Sequence, residues 1–187
     1  MKAAKLILVI VIILTIGCKS NDSFNYYNRN PYSILLTVND FRSDCYANED
    51  IRASNEKLNK GNDKNKLELE YDSKFRNDIN GLSLSIHNLI IVCETDSDVQ
   101  NAYKEHWSDF FLFIGNDSLL TKSDLNSKLK FGRSTYTEII NKETGIKTYF
   151  FEGIKRNKSI IFSISGCLNR DFVTNKLTNQ INKLDSL

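Results

Sequence analysis

The chain has 187 residues, 41% of them hydrophobic, which suits one globular domain with an ordinary core. A single proline and eight glycines exclude a collagen-like or proline-rich chain. The 25 basic and 23 acidic residues give a net charge of +2, and Lys2 and Lys5 account for this excess. The composition therefore gives no indication of the clustered basic surface that binds nucleic acid, and we expect no nucleic-acid partner.

The N-terminus has the pattern of an export signal. Lys2 and Lys5 precede eleven consecutive apolar or β-branched residues, at positions 6–16. A helix needs roughly 20 apolar residues to cross a bilayer, whereas a secretory signal carries an apolar core of ~7–15 residues. The run is therefore too short to span a membrane comfortably and predicts a secretory signal. An uncleaved anchor and an ordinary signal are the alternatives.

The apolar run ends in Thr15-Ile16-Gly17-Cys18, and this ending resembles the lipobox of bacterial lipoproteins. In that family a small residue precedes an invariant cysteine, whose thiol receives a diacylglycerol before the signal is cut away. The resemblance implies that residues 1–17 are removed and that the lipid is attached to Cys18. Thr15 departs from the pattern, since the family usually has leucine there.

This resemblance implies a location for the mature chain. Residues 18–30 are polar and asparagine-rich, and we expect them to form a flexible tether between the lipid and the domain. Lys19 differs from the aspartate that retains some lipoproteins in the inner membrane. We therefore expect a lipid anchor in the cell envelope, in the outer membrane where the cell has one.

Residues 31–187 are predicted to form a single α+β domain. Three strand-like runs, at residues 32–38, 67–71 and 82–92, precede a helix that Asp96 or Ser97 caps. Three more strand-like runs and a last helix capped by Asn169 follow, with the runs at residues 136–140, 146–151 and 158–165. Residues 44–66 carry many charges and few large apolar side chains, so we expect them to be the least ordered.

The order β-β-β-α-β-β-β-α predicts an antiparallel sheet of about six strands covered by two amphipathic helices. The helix stripes consist of Val99, Tyr103, Trp107 and Phe110, and of Val173, Leu177, Ile181 and Leu184. In its order of elements the domain resembles the PsbP/Mog1-like domains of small exported lipoproteins. That resemblance rests on no diagnostic motif and implies no catalytic residues.

Three cysteines remain after lipidation, namely Cys45, Cys93 and Cys167. Export would place them where a disulfide persists, and three thiols allow one bridge with one thiol left over. Cys93 and Cys167 each end an apolar run, a position typical of a free buried cysteine. The sequence leaves open whether a disulfide forms and which pair forms it.

Motifs for catalysis or metal binding are weak. The two histidines, His87 in a strand and His106 on the first helix, lack the HExxH spacing of a zinc site. Asp96 and Asp98 fit helix capping better than a calcium loop, and Glu68 and Glu70 fit the solvated face of a strand. We therefore predict no catalytic residue, no metal and no cofactor.

The basic residues after position 146, Lys147, Lys155, Arg156 and Lys158, are expected at charged hairpin turns. Contact with anionic lipid headgroups is the alternative for them. The leading interpretation of the whole chain is a non-enzymatic, lipid-anchored envelope protein that binds or scaffolds an unknown partner. The alternatives are an inhibitor or immunity-type lipoprotein, a cryptic enzyme, and a carrier of a small ligand.

Overall fold

A seven-stranded antiparallel sheet organises the part of the chain that the structure, a computed structural model, describes. The described residues are 31–42, 46, 57–63, 66–76, 81–111 and 118–186. The predicted signal, the tether, Cys18 and Cys45 lie outside them. Residues Ile34–Leu187 form one compact unit.

The fold class is α+β, as the sequence predicts. The strand order is β1-β2-β3-β7-β6-β5-β4, and every neighbouring pair is antiparallel. The strands are β1 (Lys57–Asp63), β2 (Lys66–Arg76), β3 (Ser83–Cys93), β4 (Leu120–Asp124), β5 (Arg133–Asn141), β6 (Lys147–Lys155) and β7 (Lys158–Gly166). The helices are α1 (Asp96–Phe111) and α2 (Arg170–Asp185).

The two α-helices cover opposite faces of the sheet. Val99 and Ala102 of α1 pack with Leu89 and Ile91 of β3 and with Ile161 of β7. The core of the opposite face includes the α2 residues predicted from its spacing, and all of them are buried: Val173, Leu177, Ile181 and Leu184. Both faces of the sheet therefore bury apolar side chains, which explains the continuous apolar runs in β3 and β7.

Both helix starts are capped by polar side chains. Asn169 Oδ1 accepts hydrogen bonds from the backbone N–H groups of Asp171 (2.8 Å) and Phe172 (3.4 Å), as predicted. At α1 the capping residue is Thr95, one position before the predicted caps, since its hydroxyl accepts from the Asp98 N–H at 3.2 Å. Asp96 and Asp98 lie in the first turn, where the helix dipole favours negative charge.

The predicted strand at residues 32–38 is wrong. The chain there forms two 3₁₀ turns, Pro31–Ile34 and Val38–Phe41. Asp40 Oδ2 accepts from the Thr37 N–H at 2.9 Å and fixes the second turn.

Side chains of the sheet and of α2 bond the backbone between these turns. Tyr71 accepts from the Val38 N–H (3.2 Å), Asn88 donates to the Leu36 carbonyl (3.3 Å), and Gln180 donates to the Ile34 carbonyl (3.0 Å). These backbone groups are satisfied without a strand ladder, so the apolar side chains can be buried in an irregular segment.

Two edge strands also differ from the sequence prediction. β1 lies within the region expected to be least ordered, and β4 was not predicted. Both are polar segments that pair on one side only, β1 with β2 and β4 with β5. Edge strands are held by backbone hydrogen bonds and need no apolar pattern, which explains why periodicity does not find them.

Candidate functional site

The face of the sheet under α1 changes from apolar to polar along its strands. Directly opposed residues of β3, β7 and β6 share this face and form rows across it. The rows under α1 are Ile91–Ser159–Ile154 and Leu89–Ile161–Glu152, and the next rows are His87–Ser163–Phe150 and Ser85–Ser165–Thr148. Beyond Leu89 the face is therefore dominated by hydroxyl and imidazole groups, and most of these side chains are half-buried.

Three metal-ligating side chains converge at one edge of this polar region. Asp72 and His87 are directly opposed on β2 and β3, and Glu70 precedes Asp72 by two residues on the same face. His87 Nδ1 lies 2.7 Å from Asp72 Oδ1. One ligand atom from each of the three residues lies within 4.8 Å of the other two. We call Glu70, Asp72 and His87 the His–carboxylate cluster.

From the sequence, Glu70 and His87 are placed on strands, but their proximity is not predicted. Asp72 was missed, although it continues the alternation that begins with Glu68 and Glu70. Glu68 lies outside the cluster and pairs with Lys66 at 2.6 Å. The side chain of His106 lies outside the described part of the chain, although the residue itself belongs to α1.

A buried carboxylate lies under α1, where Glu152 of β6 is 5% exposed. Burial raises the pKa of Glu152, and the hydrogen bonds from Tyr103 and Thr135 and the charge of Arg133 offset this only in part. Burial and the bond to Glu152 in turn raise the pKa of Tyr103. The hydrogen bond from Tyr103 to Glu152 therefore connects α1 to the sheet.

A second buried carboxylate lies on the opposite face. Glu138 of β5 is 2% exposed and forms an ion pair with Arg170 at the start of α2. Burial alone would raise the pKa of Glu138, but hydrogen bonds from Arg170 and Tyr149 and the charges of Arg170 and Lys147 outweigh it and lower that pKa. This carboxylate is therefore held ionised.

The cysteines differ in state. Cys93 is free and buried, as the end of an apolar strand predicts. Cys167 is instead exposed and disulfide-bonded, so the alternative of a buried free thiol is wrong for it. Its backbone N–H donates to the hydroxyl of Tyr46 at 2.9 Å, and that hydroxyl donates to the Ser83 carbonyl at 2.5 Å.

A pocket of about 470 Å³ opens beside Cys167 at the ends of the strands. It is lined by Tyr46 and by residues 81–83, 144–147 and 166–169. Ile146 in the β5–β6 turn is one of the exposed large apolar side chains, and Lys147 is a charged residue of the lining. We call this feature the strand-end pocket.

The basic residues expected at hairpin turns lie at the two ends of β6. Lys147 begins the strand, whereas Lys155 ends it and Arg156 follows in the turn. Lys155 pairs with Asp185 at 2.7 Å, and Lys158 Nζ donates to the Leu184 carbonyl at 2.9 Å. Positive charges stabilise the C-terminal end of a helix, so Lys155 and Lys158 stabilise the end of α2.

No family model, no curated protein and no solved structure matches the chain. In the part of the chain that the structure describes, no helix has the length and apolar character to cross a membrane.

Proposed function

We propose that this chain is a lipid-anchored protein of the cell envelope whose α+β domain binds another envelope protein. Cys18 carries the lipid, and the polypeptide that follows it stays in water. Two acyl chains on one residue give stable anchoring, whereas a single chain binds only marginally. The N-terminal pattern from Lys2 to Cys18 supports this anchor.

The disulfide at Cys167 is the single observation that carries the proposal. Disulfides form and persist in exported proteins and are rare in the cytosol. Cys167 lies more than a hundred residues from the N-terminal signal, so the bond is independent support for export. An exposed disulfide is open to cytosolic reductants, which makes an oxidising compartment the better fit.

The strand-end pocket is the surface that best suits a protein partner. Its wall combines exposed Ile146 with Leu82 and Leu168, and Lys147 stands beside them. Apolar anchor residues seated in pockets contribute most of the binding energy in protein interfaces. Among the described residues of the lining there is one cation and no carboxylate, so the partner segment should offer an apolar side chain next to an acidic one.

Metabolic labelling tests the anchor. Cells that express the wild-type chain are fed an alkyne fatty acid, and the purified protein is conjugated to a fluorophore. Wild type and the Cys93→Ala control, which replaces a free cysteine, should be labelled equally, and Cys18→Ser should be unlabelled and absent from the membrane fraction. Equal labelling of Cys18→Ser would remove the anchor.

Site-specific crosslinking tests the binding surface. A photoreactive amino acid is placed at Ile146 in the pocket, or at Arg156 as the control. These positions flank opposite ends of β6 and are both exposed. The proposal predicts an adduct with one envelope protein from position 146 and none from position 156. No adduct from position 146, or the same adduct from both positions, would contradict it.

A further inference from the structure

We propose that Glu70, Asp72 and His87 form a binding site for a divalent transition-metal ion, with Zn²⁺ as the representative ion. The set offers one imidazole nitrogen and two carboxylate oxygens. Zn²⁺ accepts both donor types, whereas Ca²⁺ and Mg²⁺ select oxygen ligands. The inference rests on these side chains alone and does not depend on the lipid anchor or the partner.

The geometry of the cluster suits one small ion. The three ligand atoms lie within 4.8 Å of one another. Zn²⁺ bonds of about 2.0–2.2 Å place two ligand atoms of a tetrahedron about 3.4 Å apart. The widest separation, at most 4.8 Å, would close by up to about 1.4 Å, and the 2.7 Å between His87 Nδ1 and Asp72 Oδ1 would open by about 0.7 Å. Rotations of the side chains are of the size that these changes need.

The backbone holds the donors in fixed relation. Asp72 and His87 are opposed residues of a ladder in which β2 pairs with β3 over eleven positions, and β1 and β7 flank the two strands. Sites built on strands are positioned more accurately than sites on loops. The cluster therefore does not depend on a loop to bring a ligand into place.

An ion in solution can reach the cluster, because its side chains are partly exposed. The side chain of His87 is 27% exposed and that of Asp72 is 41% exposed. Lys57 is opposed to Asp72 on β1, and its ammonium group is a cation that competes with a metal ion for this carboxylate. Three protein donors leave at least one coordination position for water or for a side chain of a partner.

Metal titration tests the site. The untagged full chain, in detergent and stripped with a chelator, is titrated with Zn²⁺ against a chromophoric competitor. One Zn²⁺ per chain should bind, and Glu70→Gln, Asp72→Asn and His87→Asn should each weaken binding by at least about tenfold. Glu143→Gln removes an exposed carboxylate of the β5–β6 turn, outside the cluster, and should leave the affinity unchanged.

Chemical protection of the wild-type chain gives a second readout that no folding defect can mimic. Diethyl pyrocarbonate modifies histidine, and peptide mass analysis measures modification at His87 and His106 separately. Saturating Zn²⁺ should slow modification of His87 at least about tenfold relative to the metal-free chain. Equal rates at His87 with and without Zn²⁺, or unchanged affinity in His87→Asn, would overturn the proposal.

Discussion

Tyr103 of α1 donates a hydrogen bond of 2.5 Å to Glu152 of β6, and so joins the first helix to the sheet through a buried carboxylate. Glu138, on the opposite face, is buried against Arg170 of α2. The domain therefore attaches a helix to each face of its sheet partly through a glutamate. The two glutamates have pKa values shifted in opposite directions.

These shifts predict opposite contributions to the pH dependence of stability. The pKa of Glu152 is raised above 4.5, so the folded state binds this proton more tightly than the unfolded state does. Its contribution to the free energy of unfolding is therefore fully present below about pH 4.5 and is lost as the pH rises through the folded pKa. Urea denaturation from pH 4 to 8 should show this loss in wild type and not in Glu152→Gln.

Glu138→Gln is the matched variant with the opposite sign. The pKa of Glu138 is lowered below 4.5, so its stabilisation is present above about pH 4.5 and is lost as the pH falls through the folded pKa. The difference between wild type and Glu138→Gln should shrink on acidification. The difference in the free energy of unfolding between wild type and variant should change with pH in opposite directions for Glu152→Gln and Glu138→Gln. A change in the same direction for both would contradict the opposite pKa shifts of the two glutamates.

The turn before β5 should not tolerate a side chain at Gly132. Its φ of +59° favours glycine, and an added Cβ would lie 2.2 Å from the carbonyl oxygen of Ile154. Gly132→Ala should therefore lower the free energy of unfolding by about 3 kcal/mol or more. Gly145→Ala is the control, since φ is +68° there but nothing lies within 4 Å, and it should cost only about 1–2 kcal/mol. Equal losses would show that the clash has no effect.

The last helix should depend on its buried stripe. Leu177 is fully buried, whereas Asn175 in the same helix is exposed. Leu177→Ala should lower the free energy of unfolding by about 2–5 kcal/mol, because it removes apolar contacts and leaves a cavity. Asn175→Ala should change it by no more than about 0.5 kcal/mol. Chemical denaturation of the two variants checks this difference.

The disulfide partner of Cys167 can be predicted from its neighbours. Cys93 is free, and the hydroxyl of Tyr46 accepts from the Cys167 N–H, so we expect Cys45 to be the partner. Non-reducing peptide mapping should recover a peptide that joins Cys45 to Cys167. Cys167→Ser should cost about 2–5 kcal/mol of stability, and Cys93→Ala should leave the bond intact. A bridge that contains Cys93 would contradict this pairing.

The sequence predicts the elements whose apolar residues form a recognisable pattern. The apolar residues of α2 recur at helical spacing, and those of β3 and β7 form apolar runs; the structure has the predicted helix or strand at each place. The 3₁₀ turns at Pro31–Ile34 and Val38–Phe41 have the composition of a strand, but tertiary bonds from distant side chains decide their conformation.

The candidate sites depend on which strands pair and in which register. The spacing of residues along the sequence does not reveal either. Alternation places Glu70 and Asp72 on one strand face, but the register between β2 and β3 decides that His87 opposes Asp72. No short turn fixes that register, since six residues separate Arg76 from Ser83. The strand-end pocket likewise requires Tyr46 and three segments that lie far apart in the chain.

Intact mass spectrometry of the protein extracted from its native membrane tests the central claim most directly. We expect a mature chain that begins at Cys18 and carries the mass of a diacylglycerol, with or without a further acyl chain. A chain that retains Met1 and carries no acyl mass would contradict the lipid anchor and the envelope function proposed from it.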